Sequence, residues 1–575
     1  MDTEKQLTGY PSIDKPWLKY YSEEAINTEL PSGSAYDYLY EMNKSRHKAA
    51  LEYYGNTITF KQLFKNIAAV ERAFLAQGVC DGDIVTVLIP NMPEAVYIFY
   101  ALSKIGAVSN MVDPRTSTEG IRDYVGETKS KIIVIIDVAI SKVVNIRKQL
   151  PYVERIISVS PSESFPLALK ILYRIGNRFQ IIDDVMQWNV FLKAGETYEI
   201  DPITIRGVAN KPVMIVHTGG TTGSPKGVVL SNLNINAIAF QSMRFPTDLQ
   251  ACHTWLDIMP PFIAYGIGTG LHFPLIVGMT VILIPKFDAD KFDELLIKHK
   301  PNHISGVPSH WYTIINSKAM QKQTMSYLIS AAVGGDTMDE RLEENSNDFL
   351  KSHQCDYKIT KGYGMTETNG SVCRTLNDNN PIGSVGVPFT HTVIAIFSQE
   401  TGEELPYNEV GEICMYGPSV MLGYYNNVEE TSRIKRFHNG HEWIHSGDLG
   451  YMTEDGNVYV LNRVKRIIIR YDGFKIFPSQ IEKVLLSNDK IVSACVVGVN
   501  DLNHSQGKLP LAFVVKKDSA DEHITEMELV NLCQKKVPEY AQPIDYVFKD
   551  NLPLTPIGKV DYRALEIEAE TAYRL

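Results

Sequence analysis

The glycine-rich segment from Thr218 to Gly227 constrains the chain more than any other stretch. It holds four glycines, four hydroxyl side chains and one lysine, and it lies between two apolar runs, Val213–His217 and Val228–Leu230, that predict strands. Because glycine has no side chain to block approach, such a loop can turn its backbone N–H groups toward a phosphate. The segment differs from a Walker A element, which needs Gly-Lys-Ser/Thr at the start of a helix. It predicts a phosphate-binding loop between strands, with a plain flexible hairpin as the alternative.

Size and composition restrict the kind of protein. The chain has 575 residues, more than the ~250–300 at which single cores stop growing, so two or more domains are expected. A net charge of −11 argues against nucleic acid as a partner. The seven cysteines include no Cys-x-x-Cys pair, which predicts neither a zinc site nor a disulfide framework. The first residues are polar, unlike a signal peptide, and apolar runs such as Ile132–Ile136 are too short to span a membrane. We therefore expect a cytoplasmic enzyme.

Strand-like and helix-like segments alternate along the chain. Continuous apolar strands separated by helices indicate parallel sheets covered on both faces, and hence an α/β fold. Predicted helices begin at a capping box of Thr59 and Gln62, at Pro93, and after an N-cap at Ser231. The predicted strands nearest them are Ile84–Ile89, Ala107–Val112 and Lys131–Ile136.

The composition changes twice toward the C-terminus. The block from Phe389 to Tyr425 is rich in strand formers and turn residues, which predicts a small β-rich subdomain at about 385–460. Beyond it, helix-like and strand-like segments alternate again in a unit of ordinary small-domain size. We predict an N-terminal domain of α/β-layered sheets over 1–465 and a small, mobile α+β domain over 466–575.

Three further motifs carry side chains suited to nucleotide chemistry. In Lys361–Thr368, a tyrosine ring can stack on a purine, and a carboxylate beside a hydroxyl can hold Mg²⁺. In His445–Gly450, an aspartate suits the two hydroxyls of a ribose. In Pro553–Asp561, a lysine bounded by proline and glycine is a fixed point charge. Each pattern alone is also typical of an ordinary turn or a solvated lysine.

Together and in this order, the motifs resemble those of the adenylate-forming superfamily, which comprises acyl- and aryl-CoA synthetases, beetle luciferases and nonribosomal-peptide adenylation domains. A further match is Gly334–Asp336, and the resemblance covers most of residues 35 to 565. It implies an enzyme that joins a carboxylic acid to AMP with release of pyrophosphate and then transfers the acyl group to a thiol. It also implies ATP, Mg²⁺ and coenzyme A as cofactors, with acyl-CoA synthetases as the most similar group.

The resemblance also implies residue roles. Lys559 would bridge the acid and the α-phosphate, Thr366 would contact the α-phosphate, and Glu367 would bind Mg²⁺. Tyr363 would stack on adenine, while Asp448 and Arg463 would hold the ribose. The full predicted nucleotide-binding set is Thr218, Gly219, Gly220, Thr221, Thr222, Gly223, Lys226, Gly334, Gly335, Asp336, Gly362, Tyr363, Gly364, Thr366, Asp448 and Arg463. The segment Gly473, Phe474 and Lys475 would meet the pantetheine arm of CoA. Arg466 matches the hinge position, where Asp or Lys is usual.

The acid itself is less constrained. The predicted acyl pocket contains Phe262, Ile263, Tyr265 and Gly266, and Ile263 stands where many CoA ligases carry histidine. Apolar neighbours favour a fatty or other apolar acid, although core packing would select the same residues. Asp257 lies close enough in sequence to keep an amino acid open as the substrate. The alternatives to a CoA synthetase are an enzyme that loads a carrier protein, a luciferase-like oxidative enzyme, and a nucleotide-binding module without catalysis.

The segment 165–178 combines apolar residues with three basic ones. Such a segment could contact a membrane surface and collect a fatty acid. A surface helix packed on the large domain is the alternative interpretation.

Overall fold

A computed structural model describes residues 7–176, 182–199, 208–218, 226–463, 466–470, 475–503, 507–517, 524–555 and 559–572. Its strands β1 to β27 are, in chain order, Ala49–Tyr53, Asn56–Thr59, Ile84–Leu88, Val108–Met111, Ile132–Ile136, Arg155–Val159, Val185–Gln187, Pro212–Thr218, Lys226–Ser231, Thr254–Asp257, Thr280–Leu283, His303–Gly306, Ser330–Val333, Ile359–Met365, Gly370–Arg374, Val387–Pro388, Val393–Phe397, Gly411–Tyr416, Gly423–Tyr424, Lys435–His438, His441–Met452, Val458–Arg463, Ile468–Ile469, Lys475–Ile476, Ile491–Asn500, Lys508–Lys516 and Tyr546–Lys549.

The helices α1 to α18 are, in chain order, Pro11–Asp14, Glu23–Asn27, Ala35–Asn43, Phe60–Ala76, Pro93–Ile105, Thr118–Thr128, Ile140–Ile146, Leu167–Gly176, Trp188–Ala194, Asn232–Arg244, Phe273–Val277, Phe292–His299, Pro308–Asn316, Glu340–Ser352, Val428–Ile434, Pro478–Leu486, Glu526–Lys536 and Tyr562–Ala572. A π-helical segment, Gly266–His272, precedes α11.

Local sequence signals account for several of these boundaries. Thr59 and Gln62 form the predicted capping box at the start of α4. Pro93 opens α5, which ends before Gly106, a residue with a positive φ of 90°. Ser231 caps α10 through the N–H of Asn234. The predicted helices therefore form where their caps indicated.

Two large sheets form the main body and fix the α/β class that the sequence predicts. One has the strand order β16-β15-β14-β13-β12-β10-β11-β1-β2, and the other has the order β19-β9-β8-β4-β3-β5-β6-β7. In the first, β10 to β14 run parallel, and in the second, β3 to β8 run parallel. Because parallel strands end at one edge, the segments that follow them are brought close together, where α/β proteins bind their ligands.

Three smaller sheets follow. Strands β17, β18, β20, β21 and β22 form an antiparallel sheet within the predicted β-rich region. Strands β23 and β24 pair with each other. The last sheet, β25-β26-β27, has its own apolar clusters, to which α16, α17 and α18 contribute. The division at residues 465 and 466 remains a prediction.

Among the described residues, none of the helices combines the length and apolar character that crossing a membrane requires.

Candidate active site

The glycine-rich loop joins two antiparallel strands. β8 and β9 pair in a register that sets Thr218 opposite Lys226, and the Thr218 hydroxyl lies 3.5 Å from the Lys226 carbonyl oxygen. Gly219, Gly220, Thr221, Thr222 and Gly223 lie outside the described residues. The Lys226 ammonium forms an ion pair with Glu430 at the start of α15. The hydrogen bond that the Lys226 ammonium donates lowers the pKa of Glu430 and keeps its carboxylate charged.

Tyr424 connects this lysine to the predicted magnesium ligand. β19 pairs with β9, which sets Tyr424 opposite Val228, and the Lys226 ammonium lies 5.0 Å from the centre of the Tyr424 ring. The Tyr424 hydroxyl donates a 2.7 Å hydrogen bond to Oε1 of Glu367, which is buried. Burial and the nearby Glu367 charge raise the pKa of Tyr424, so its hydroxyl stays a donor. Thr366 and Glu367 lie in the 3₁₀ turn between β14 and β15.

The segments predicted to flank the adenine approach one another closely. Gly334 and Gly335 follow β13, and a Cβ at Gly334 would lie 3.4 Å from the Gly362 carbonyl oxygen on β14. Gly335 has a φ of 80°, which favours glycine. A Cβ at Gly364 would overlap the Gly370 carbonyl, so the β14–β15 turn needs glycine there. The neighbouring Asp336 is exposed.

The Tyr363 and Asp448 side chains meet. The Tyr363 hydroxyl donates a 2.7 Å hydrogen bond to Oδ2 of Asp448, which is buried on β21. Asp448 also pairs through the backbone with Arg463 on β22, although the Arg463 side chain lies outside the description. Glu412 steadies the turn before Asp448, because it accepts hydrogen bonds from the Gly447 N–H at 2.9 Å and from the His445 ring at 2.9 Å.

Lys559 reaches the same place from the C-terminal region. A Cβ at Gly335 would lie 3.8 Å from Cε of Lys559. The Lys559 N–H donates to the Thr555 hydroxyl at 3.1 Å, and its carbonyl accepts from the Thr555 N–H at 2.7 Å. The lysine is thus tied through its backbone to Thr555, and its side chain lies beside the loop that follows β13.

One of the predicted acyl-pocket residues, Tyr265, lies next to that loop. A Cβ at Gly334 would lie 3.8 Å from the Tyr265 hydroxyl, and burial raises the pKa of Tyr265 to about 12. Ile263 and Tyr265 are half-buried, whereas Phe262 and Gly266 are buried. The Arg115 guanidinium lies 5.9 Å from the centre of the Phe262 ring. Tyr265, Gly334 and Gly362 therefore lie close to one another.

Asp257 is the last residue of β10. Its side chain is 1% exposed and accepts a 3.2 Å hydrogen bond from the Met259 N–H. Burial raises the pKa of Asp257 well above its ordinary value, which favours a neutral carboxyl group.

Two family models match this chain. A family model described as "AMP-binding enzyme" matches residues 40–425, and another described as "AMP-binding enzyme C-terminal domain" matches residues 480–559. The chain belongs to the AMP-binding enzyme family. The two models together contain most of the motifs singled out in the sequence.

Relatives of this AMP-binding enzyme match it over nearly their whole length. A long-chain-fatty-acid–CoA ligase of Bacillus subtilis (strain 168) is 28% identical over 567 residues, which cover 97% of this chain and 98% of the relative. A 4-coumarate–CoA ligase of Humulus lupulus is 27% identical over 528 residues, with 90% of each chain covered.

Solved structures share the fold. The anthranilate CoA ligase AuaEII in complex with anthranoyl-AMP gives a TM-score of 0.81 at 20% identity, over 96% of this chain and 100% of the other. ATP-bound MatB from Rhodopseudomonas palustris gives a TM-score of 0.81 at 22% identity, over 95% and 100%.

The predicted hinge and CoA segment of this AMP-binding enzyme are described only in part. The Arg466 guanidinium pairs with Glu482 on α16 and donates to the Val496 carbonyl at 3.4 Å. These contacts tie the side chain to the C-terminal elements. Gly473 and Phe474 lie outside the described residues, and Lys475 is described through its backbone in β24.

Sequence reasoning missed Tyr424 and Glu430. Glu430 stands three residues after Asn427, whose side chain accepts its N–H at 3.0 Å. That Asn-x-x-Glu spacing is a helix-start signal, and it could have located α15. Nothing in the sequence indicates that Tyr424 would contact Glu367, which is 57 residues away.

Proposed function

We propose that this AMP-binding enzyme is an ATP-dependent acyl-CoA synthetase. The approach of Lys559 to Gly335 carries the proposal, because it brings a cation from the C-terminal region to the loops of Tyr363 and Tyr265. A module that only bound nucleotide would not need this lysine between its nucleotide loops and its acyl pocket.

The first half-reaction would form an acyl-adenylate. A carboxylate oxygen attacks the α-phosphorus of ATP, and the bond to the bridging oxygen breaks to release pyrophosphate. The chain's task is to position the two reactants and to offset the charge that builds on the phosphoryl oxygens. In our proposal, Lys559 contacts both the acid and the α-phosphate, and Thr366 contacts the α-phosphate. The Thr218–Gly227 loop and Lys226 hold the outer phosphates.

Glu367 suits a magnesium ion because it is a buried carboxylate oriented by the Tyr424 hydroxyl. When bound there, Mg²⁺ would supply further positive charge next to the α-phosphate. Tyr363 stacks on adenine in this proposal. Asp448 and Arg463 hold the ribose, and the Tyr363–Asp448 hydrogen bond sets the distance between the two subsites.

The second half-reaction would transfer the acyl group to coenzyme A. The CoA sulfur attacks the acyl carbonyl, AMP leaves with the electron pair of the acyl–phosphate bond, and the thiol proton passes to solvent. Gly473, Phe474 and Lys475 would receive the pantetheine arm. Because Lys559 occupies the phosphate site during adenylation, a rotation at Arg466 would clear the path for the thiol.

We propose an apolar acid as the substrate. The pocket segment contains the buried Phe262, Ala264, Ile267 and Leu271. The fatty-acid ligase of B. subtilis, which covers 97% of this chain, supports the same class.

A panel assay tests the reaction and the substrate together. Pyrophosphate release from ATP and Mg²⁺ is measured with acids from acetate to palmitate and with aryl, bile and amino acids, each with and without CoA. We expect CoA-dependent turnover and a thioester product with an apolar acid class. Pyrophosphate release limited to one burst that CoA does not accelerate would contradict the CoA assignment and favour a carrier protein as the acceptor. Turnover with amino acids alone would contradict the substrate class.

A further inference from the structure

Helix α8 turns its apolar face away from the protein. Leu167, Ile171, Leu172 and Ile175 are 75%, 50%, 64% and 77% exposed, and none of the helix residues is buried. An ordinary surface helix does the opposite and packs its apolar stripe on the core. We propose that this face of α8 docks the enzyme on the surface of an anionic lipid bilayer.

The helix geometry separates an outer and an inner face. Leu167, Ile171 and Ile175 are spaced four residues apart and therefore share one face. On the inner side, the Tyr173 ring lies 5.7 Å from the Phe165 ring, and the Lys170 ammonium donates to the Glu163 carbonyl at 2.9 Å and to its carboxylate at 3.0 Å. These aromatic and charged contacts tie the helix to the segment just before it and leave the aliphatic side chains facing outward.

The charge of α8 complements an anionic surface. Within Leu167–Gly176 the charged residues are Lys170 and Arg174, both basic, although the whole chain carries a net charge of −11. Glu163 offsets Lys170 and lies 3.9 Å from Arg174, whose side chain is still 54% exposed. Exposed aliphatic residues bordered by a basic side chain are typical of helices that lie in the interface of an anionic bilayer.

The small size of the face favours a bilayer over a protein partner. Ten residues make a helix roughly 15 Å long, and its outer face offers four exposed aliphatic side chains, whereas each partner of a stable protein interface contributes about 20–30 residues. A stable protein interface buries about 800 Å² on each partner. Insertion into a lipid interface has no such minimum area, because each apolar side chain leaves water independently.

Two hydrogen bonds link the loop before α8, through the start of α5, to the segment that precedes the acyl pocket. The Ser164 hydroxyl donates a 2.6 Å hydrogen bond to Glu94 near the start of α5. Asn91, just before that helix, donates to the Met259 carbonyl at 2.9 Å, immediately before the pocket segment. Docking there would bring the pocket close to the lipid phase, in which an apolar acid accumulates. This part of the inference rests on the proposed function.

Vesicle flotation of the full chain tests the docking. The vesicles contain phosphatidylcholine and phosphatidylglycerol at three to one, or phosphatidylcholine alone. We expect the parent chain to float with the anionic vesicles and more weakly with the neutral ones. The triple variant Leu167→Gln, Ile171→Gln, Ile175→Gln should lose at least about tenfold in partition coefficient. The matched control Ile13→Gln, Met527→Gln, Ile567→Gln changes three exposed apolar residues elsewhere and should bind like the parent.

Hydrogen exchange on the parent chain gives a second measurement that needs no variant. Amides of residues 167–176 should exchange more slowly when anionic vesicles are added. Absence of flotation by the parent, equal flotation of the triple variant, or unchanged exchange in α8 would overturn the proposal. Self-association that the triple variant abolishes, without flotation of the parent, would overturn it in favour of a second copy of this chain. CoA ligation is assayed separately, without vesicles, over the whole panel of acids. Flotation without ligation of any of these acids would refute the proposed function and leave the docking intact.

Discussion

Two residues outside the recognised motifs contact the charged groups of the site. Tyr424 donates its hydroxyl to Glu367, and Glu430 forms an ion pair with Lys226. The Tyr424 ring also lies 5.0 Å from the Lys226 ammonium. Tyr424 therefore links the phosphate-loop lysine to the predicted magnesium ligand, and we assign it a positioning role.

Replacing Tyr424 by phenylalanine should weaken magnesium binding. The change removes the 2.7 Å hydrogen bond that orients Glu367, and loss of such an outer contact costs roughly 10–100-fold in metal affinity or activity. The measurement is the apparent affinity for Mg²⁺ in pyrophosphate release at saturating ATP. Tyr425→Phe is the matched control, since Tyr425 contacts the loop strand through its backbone N–H, 2.7 Å from the Gly227 carbonyl. An unchanged Mg²⁺ dependence in Tyr424→Phe would refute the positioning role.

Among individual residues, those that belong to short sequence motifs were predictable from the sequence. The Tyr363 and Asp448 motifs were visible as short patterns, and their side chains prove to be hydrogen-bonded across 85 residues. Tyr424 was not predictable, because its contact with Glu367 depends on the pairing of β19 with β9. A two-residue strand leaves no periodic pattern in a sequence.

The start of α14 connects the main body to the C-terminal elements that carry Lys559. The Arg341 guanidinium donates to the Ile491 carbonyl of β25 at 2.8 Å in a partly buried contact. The neighbouring Glu340 pairs with Lys483 of α16 at 2.7 Å, and both side chains are well exposed. In our proposal these contacts stabilise the arrangement in which Lys559 lies beside Gly335.

Breaking these two contacts should slow adenylation to different extents. Arg341→Ala removes a hydrogen bond to a charged group, and such bonds contribute about 1.5–3 kcal/mol, so we expect a loss of roughly tenfold or more. Lys483→Ala removes an exposed pair that contributes about 0–1 kcal/mol, so its loss should be less than about fivefold. Stopped-flow measurement of both half-reactions separates the steps, and thioester formation should be spared. Equal slowing of both half-reactions in Arg341→Ala would contradict this account.

Element boundaries were predictable wherever a cap or a special residue marks them. The capping box at α4, Pro93 at the start of α5 and Gly106 at its end act within a few residues. The order of strands was not predictable, because β10 lies between β11 and β12 for reasons of long-range packing. The sequence pattern specified parallel sheets but not which strands are neighbours.

The whole molecule contains buried histidines that must stay neutral. Burial lowers the pKa of His272 to about 3, that of His303 to about 3 and that of His217 to about 4. His272 accepts the Tyr100 hydroxyl at Nδ1 and donates from Nε2 to Asn236, at 2.9 and 3.1 Å, a pattern that fits the neutral ring. The pKa of a histidine in the unfolded chain is about 6.5. As the pH falls, the unfolded chain therefore takes up protons before the folded protein does.

Stability should therefore fall as the pH drops from about 6.5 toward 4, by up to about 1.4 kcal/mol per pH unit for each such histidine. The measurement is the free energy of unfolding in urea at several pH values. His272→Gln should reduce this slope by about the contribution of one histidine. A slope that His272→Gln does not alter would show that this histidine is not buried and neutral in solution.

The central claim is that the enzyme activates its acid as an acyl-adenylate. The most direct test uses an acid labelled with oxygen-18 in both carboxylate oxygens, with ATP, Mg²⁺ and CoA, and mass analysis of the products. Attack of the carboxylate on the α-phosphorus predicts one labelled oxygen in AMP and one in the acyl-CoA. Unlabelled AMP, or ADP and labelled phosphate in its place, would contradict the account.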